Sequence, residues 1–144
     1  METFPALVHQ HFGWLVSEYN FAVSREDKVV VEYASPVCRV EVWREHYLVV
    51  VLIGSLEPVV IRRVRTGVGD VVEAKDAGAA ERWSARLQEY LQRPDSIDLQ
   101  LAGRATLLRQ YCDEMLRGDF SLRDELKRLR EERMRAHRRP GDTP

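Results

Sequence analysis

Residues 37–54, with the sequence VCRVEVWREHYLVVVLIG, decide the fold of this chain. Apolar and polar side chains alternate through residues 37–43, which is typical of a β-strand with one buried face. The polar residues 44–46 predict a turn, and the uncharged residues 47–53 predict a second strand. A strand without charge is expected either in the centre of a sheet, covered on both faces, or beside an apolar face that docks a partner.

Further β segments are predicted on both sides of this hairpin. Residues 29–33 are rich in β-branched side chains and predict a strand, and the charged residues 25–28 before them predict a turn. Residues 59–65 and 71–73 predict two more strands. Residues 66–70 contain two glycines and predict a turn between those last two strands. Short connections favour an antiparallel meander of four to five strands.

Helical periodicity dominates both ends of the chain. Apolar residues recur at spacings of three and four through residues 4–19, which predicts an N-terminal helix that ends at Asn20. Beyond the strands, Asp76 is predicted to cap a helix that Pro94 ends, and Ser96 is predicted to cap a second helix that Gly118 ends. Ser121 and Asp124 resemble the capping box of a third helix.

These elements predict an α+β fold with an N-terminal helix, an antiparallel four- to five-stranded meander and two to three C-terminal helices. The apolar stripe of the last helix fades after Leu129. We therefore expect one α+β domain over residues 1–129, followed by a charged helix extension and loose tail over residues 130–144.

Composition excludes several classes of function. The chain has 144 residues, 44% of them hydrophobic and 31% charged, with a net charge of −1, so no global field attracts nucleic acid or membrane. No apolar run approaches the roughly 18 residues of a membrane span, and no export signal is recognisable at the start. The two cysteines do not form a disulfide framework, and we expect a cytoplasmic protein.

Few residues are candidates for catalysis or metal binding. His9 and His11 are two positions apart on a predicted helix, so they point in different directions, and His11 is the one expected to be buried and paired. Cys38 and Cys112 each lie on an apolar face, where small core residues are expected. No nucleophile, phosphate-loop or metal-ligand spacing is recognisable, so we predict no cofactor, no metal site and no enzyme.

Two groups of residues are candidates for binding a partner. The first borders the apolar strand and is expected to dock a protein: Glu32, Arg39, Glu41 and Trp43. The second belongs to residues 127–139, which carry seven bases and two acids, a net charge of +5, and are a candidate for the phosphate backbone of nucleic acid. Its arginines are Arg128, Arg130, Arg133, Arg135, Arg138 and Arg139.

Three short motifs carry a resemblance to known proteins. Residues 12–21 read FGWLVSEYNF, residues 31–33 read VEY, and residues 116–121 read LRGDFS. Together they resemble small uncharacterised bacterial α+β proteins, some of which are similar to immunity proteins of toxin systems. The resemblance implies a protein without catalytic residues that binds a toxin or another protein through a surface patch.

We therefore expect a non-catalytic protein-binding module, in its sharpest form an immunity-like inhibitor of a bacterial toxin. Such an inhibitor would cover a basic active site with an acidic or apolar sheet face. The alternatives are a nucleic-acid-associated accessory protein that uses the basic C-terminal helix, or a small enzyme with no recognisable motif.

The apolar pattern makes a prediction about stability. Trp83 lies on the apolar face of its helix, so Trp83→Ala should destabilise the protein by about 3–5 kcal/mol. Arg135 lies where the apolar stripe has ended, and Arg135→Ala should change the free energy of unfolding by less than about 0.5 kcal/mol. Chemical denaturation of both variants checks the prediction, and equal effects would contradict it.

Overall fold

The computed structural model describes residues 2–55 and 65–136, and the predicted α+β class is confirmed. A five-stranded sheet, antiparallel throughout, has the strand order β1-β2-β3-β4-β5, and helices precede and follow it. The strands are β1 (Ala22–Glu26), β2 (Val30–Ala34), β3 (Arg39–Glu45), β4 (Leu48–Gly54) and β5 (Arg65–Gly67). The helices are α1 (Phe4–Phe12), α2 (Trp14–Tyr19), α3 (Val68–Lys75), α4 (Ala77–Tyr90), α5 (Ser96–Tyr111), α6 (Asp113–Leu116) and α7 (Ser121–Ala136).

The N-terminal helical stretch is divided at Gly13, where one helix was predicted. A Cβ atom at this position would lie 2.8 Å from the carbonyl oxygen of His9, so the close approach of the backbone there requires a glycine. The expected end at Asn20 is confirmed, because this residue has φ 60° and its N–H caps the helix at the carbonyl of Leu15.

Three predictions about the strands are wrong. Arg44 and Glu45, predicted in a turn with His46, end β3, and the turn consists of His46 and Tyr47. Arg25 and Glu26, predicted in a turn, end the edge strand β1, and the turn lies after them. Residues 68–75 form α3 instead of a turn and a strand, because Val68, Val71 and Val72 share one helical face that is buried in the core. Most of the strand predicted over residues 59–65 lies outside the described residues.

The C-terminal helices begin and end close to the predicted residues. The Asp76 carboxylate accepts a hydrogen bond from the N–H of Ala79 at 3.0 Å, which confirms the predicted cap. Ser96 is the first residue of α5 instead of its cap, and Cys112 separates α5 from α6. At the start of α7, the Asp119 carboxylate accepts a hydrogen bond from the N–H of Ser121. This contact is found where the sequence predicted a capping box of Ser121 and Asp124.

The helices cover one face of the sheet. Helix α1 contacts β2, whereas α3, α5 and α6 contact β4. The hydrophobic core lies between these two layers and includes both cysteines, as predicted. Its strand residues are Val31, Tyr33, Val40, Val42, Val49, Val51 and Ile53.

A buried amide links the helical layer to the start of β4. Gln100 on α5 is fully buried, and its Oε1 accepts a hydrogen bond from the N–H of Val49 at 2.9 Å. Its Nε2 donates to the carbonyl oxygen of Tyr47 at 2.8 Å and to the hydroxyl of Ser96 at 3.0 Å. The amide therefore uses its acceptor and both donors, which makes its burial tolerable.

This contact predicts the effect of removing the amide. Gln100→Leu keeps the volume but leaves the buried N–H of Val49 without its acceptor, so the variant should lose about 1–3 kcal/mol of unfolding free energy. The matched control is Gln88→Leu on the exposed side of α4, with an expected effect below about 0.5 kcal/mol. Urea denaturation that gave the same midpoint for both variants would contradict this role of Gln100.

Candidate functional site

The four residues predicted to dock a partner lie together on the outer face of the sheet, the face turned away from the core helices. Strand register places Glu32 opposite Glu41, and Trp43 between Val30 and Val50. Arg39 lies two residues before Glu41 on the same side of β3, whereas Val40 and Val42 face the core. The alternation that was read from the sequence thus holds from Arg39 to Trp43.

The charged members of this group are mostly covered. Only 12% of the Glu32 side chain and 11% of the Arg39 side chain are exposed, and 3% of Glu41 is exposed. Arg39 Nε lies 3.4 Å from Glu32 Oε1, and the Ser24 hydroxyl donates to the same carboxylate at 3.1 Å. Charges covered in this way are costly to leave without their partner inside the protein, and they are poorly placed to meet a binding partner directly.

Trp43 is the apolar member of the group and is half-buried. The guanidinium of Arg25 on the edge strand lies 5.3 Å from the centre of its ring, a cation–π contact. Val50 and Leu52 on β4 are also half-buried on the outer face. Trp43, Val50 and Leu52 therefore form an apolar row on the outer face, with charged neighbours, as the sequence indicated.

The most exposed large hydrophobic side chains near this row lie at the turn between β3 and β4. Tyr47 is 80% exposed and Leu48 is 40% exposed. The turn is tight, since His46 has φ 56°. The backbone beneath the aromatic ring is fixed, because the buried Gln100 donates to the Tyr47 carbonyl oxygen. Sequence reasoning missed this side chain, because its place in an uncharged run indicated a covered strand.

Two arginines of the basic helix α7 are paired with acidic side chains. Arg128 Nη1 lies 2.7 Å from Glu132, one turn further along α7, and 3.9 Å separates Arg128 from Glu125. Arg133 reaches Glu73 on α3 at 3.3 Å. Arg135 is exposed, Arg130 lies within the helix, and Arg138 and Arg139 lie outside the described residues. These pairs reduce the positive field that a nucleic-acid backbone would meet.

Two of the histidines and both cysteines take structural positions. His11 Nε2 lies 2.7 Å from an oxygen of Asp98 on α5, as expected for a paired side chain. His9 links the Tyr33 hydroxyl, 2.7 Å from its Nδ1, to the carboxylate of Glu26. Burial raises the pKa of the Cys38 thiol to about 12, which keeps that sulfur protonated.

Burial likewise raises the pKa of the Cys112 thiol to about 12. Among residues 2–55 and 65–136, which the structure describes, no three His, Cys, Asp or Glu side chains are grouped so that they could hold a metal ion. In the same part of the chain, no helix combines the length and the apolar character that crossing a membrane requires.

Comparison with protein-family models, with curated proteins and with solved structures finds no match for this chain. The geometry of the outer face and of the turn beside it therefore provides the evidence for function.

The buried charges predict a large cost of truncation. Arg39→Ala leaves Glu32 without its guanidinium partner on a covered surface, so we expect a loss of about 3–5 kcal/mol in unfolding free energy. Arg93→Ala removes an exposed pair with Asp95 and should cost at most about 1 kcal/mol. Guanidinium denaturation of the two variants distinguishes these values, and a small effect at Arg39 would show that the pair contributes little.

Proposed function

We propose that this chain is a non-catalytic protein-binding module that docks its partner through the end of the β3–β4 hairpin. The docking patch consists of Trp43, Tyr47, Leu48 and Val50. The observation that carries the proposal is the exposed ring of Tyr47, held over a backbone that the buried Gln100 fixes. Aromatic side chains in rigid positions are the usual anchors of protein interfaces.

The remaining members of the patch extend this anchor into a continuous surface. Leu48 and Val50 are two residues apart on the outer side of β4, and Trp43 is paired with Val50 in the neighbouring strand. Diagonal neighbours across two strands are close enough for large side chains to touch one partner group. A partner that covers Tyr47 therefore also reaches the apolar row of the outer face.

Charge supports a basic partner. The last 24 residues carry eight bases and five acids, so the remaining 120 residues hold a net charge of −4 within the overall −1. An acidic body accelerates association with a basic surface. Together with the sequence resemblance, this supports the sharper form of the proposal, an immunity-like inhibitor that covers the basic active site of a bacterial toxin.

Site-specific photo-crosslinking tests the patch. A benzophenone amino acid is introduced at Tyr47 and, as a control, at Leu91, which is also exposed but lies at the end of α4. In cells of the native host, we expect one discrete adduct from position 47 and none from position 91. Trp43→Ala in the same protein should weaken the adduct, because truncation of an anchor commonly costs about 2 kcal/mol or more, roughly thirtyfold in affinity.

Two outcomes would contradict this function. Equal labelling from positions 47 and 91 would show that the patch has no preferred partner. Binding to an unspecific DNA duplex that falls steeply with salt and disappears on deletion of residues 130–144 would favour the nucleic-acid alternative. If the adduct forms, adding one equivalent of the chain to the purified partner tests inhibition, and an unaffected partner activity would leave binding without the toxin-inhibitor role.

A further inference from the structure

A groove between α4 and α5 combines a fixed apolar floor with a basic rim, on elements that the docking patch does not use. Its volume is about 210 Å³. Pockets for drug-sized ligands enclose roughly 300–1,000 Å³, so this groove suits a small ligand or part of a larger one. Its floor is formed by Ala79, Trp83 and Leu107, and its rim by Arg82, Arg86, Thr106 and Gln110.

The floor of the groove is held in place from two sides. A Cβ atom at Gly103 would lie 2.2 Å from Cζ3 of Trp83, so the indole packs directly against the backbone of α5. The guanidinium of Arg104 lies 4.8 Å from the centre of the same ring. Trp83 is only 9% exposed. These contacts hold the indole against α5.

The rim presents two guanidinium groups one helical turn apart on α4, because Arg82 and Arg86 are four residues apart. None of the residues that line the groove is acidic. At its end, Asp76 accepts from the Ala79 N–H at 3.0 Å and from the Tyr111 hydroxyl at 2.8 Å. The nearest nitrogen of Arg82 is 3.9 Å from this carboxylate, too far for a hydrogen bond.

The donors of the rim are therefore available to a ligand. Within residues 2–55 and 65–136, Arg86 has no ion pair, and Arg82 has only the long contact with Asp76. The amide of Gln110 lies on the opposite rim. Two bidentate guanidinium forks already saturate the oxygens of one carboxylate, whereas a phosphate monoester offers three oxygens and up to two charges to the same donors.

We propose that the α4–α5 groove binds a small phosphate monoester. Its phosphate lies between Arg82 and Arg86, and its apolar body rests against Trp83 and Leu107. The site is independent of the docking patch, so either proposal can fail alone.

Titration of the isotope-labelled full chain, followed by NMR, tests the groove. Phenyl phosphate is the main probe, benzoate tests a carboxylate on the same ring, and inorganic phosphate tests the anion without an apolar body. We expect saturable shifts for phenyl phosphate, confined to amides of α4 and α5 and to the indole N–H of Trp83. Affinity for the other two probes should be at least threefold weaker.

Matched double variants identify the groups responsible. Arg82→Gln with Arg86→Gln removes two exposed charges from the rim and should weaken phenyl phosphate binding at least tenfold. Arg128→Gln with Arg133→Gln removes two charges from α7 and should leave the affinity within twofold. The circular dichroism spectrum of each variant should match that of the parent protein, because all four side chains are exposed.

Three results would overturn the site. The first is the absence of saturable shifts at millimolar phenyl phosphate. The second is an equal loss of affinity in the two double variants, which would indicate general charge attraction. The third is equal binding of benzoate and phenyl phosphate, which would show that the groove does not prefer a phosphate monoester.

Discussion

The hydrogen bonds of the buried Gln100 amide fix the position of the sheet relative to the helices that cover it. Apolar packing alone is compatible with small sliding movements, whereas this amide has to meet the N–H of Val49 and the carbonyl of Tyr47 at the same time. Helix α5 also presents Leu101, Ala105 and Leu108 to the core. On a different side of α5, Gly103 receives the indole of Trp83. One helix thus supports the hairpin end in one direction and the α4–α5 groove in another.

Patterns with a local physical cause were predictable from the sequence. The alternation of residues 37–43 revealed which side chains share a face, and Asp76 and Asn20 revealed helix ends, because each needs only its neighbours in the chain. Helix α3 was missed because Gly67 and Gly69 resemble a turn, although Val68, Val71 and Val72 have helical spacing. The roles of Gln100 and Gly103 depend on residues distant in sequence, Val49 and Trp83, which no local pattern indicates.

Burial determines which of the residues that the sequence singled out for binding can contact a partner. Arg39, Glu32 and Glu41 share the outer face as predicted, but most of their surface is covered, so their charges act within the protein. Alternation reveals which side of a strand a residue occupies and not how much of that side meets solvent. The opposite holds for Tyr47, which lies in an uncharged run and is nevertheless the most exposed large hydrophobic side chain among the described residues.

The small size of the docking patch constrains the kind of interface it can support. A stable complex buries about 800 Å² on each partner, more than Trp43, Tyr47, Leu48 and Val50 can provide alone. The interface must therefore extend over the polar surface around the turn, where Arg44 and Glu45 are exposed. In the proposed interface Tyr47 would be the aromatic anchor, and the charged residues around the turn would select the partner and speed the encounter. Such a division of roles agrees with the net negative charge of residues 1–120 and with the fixed backbone beneath the Tyr47 ring.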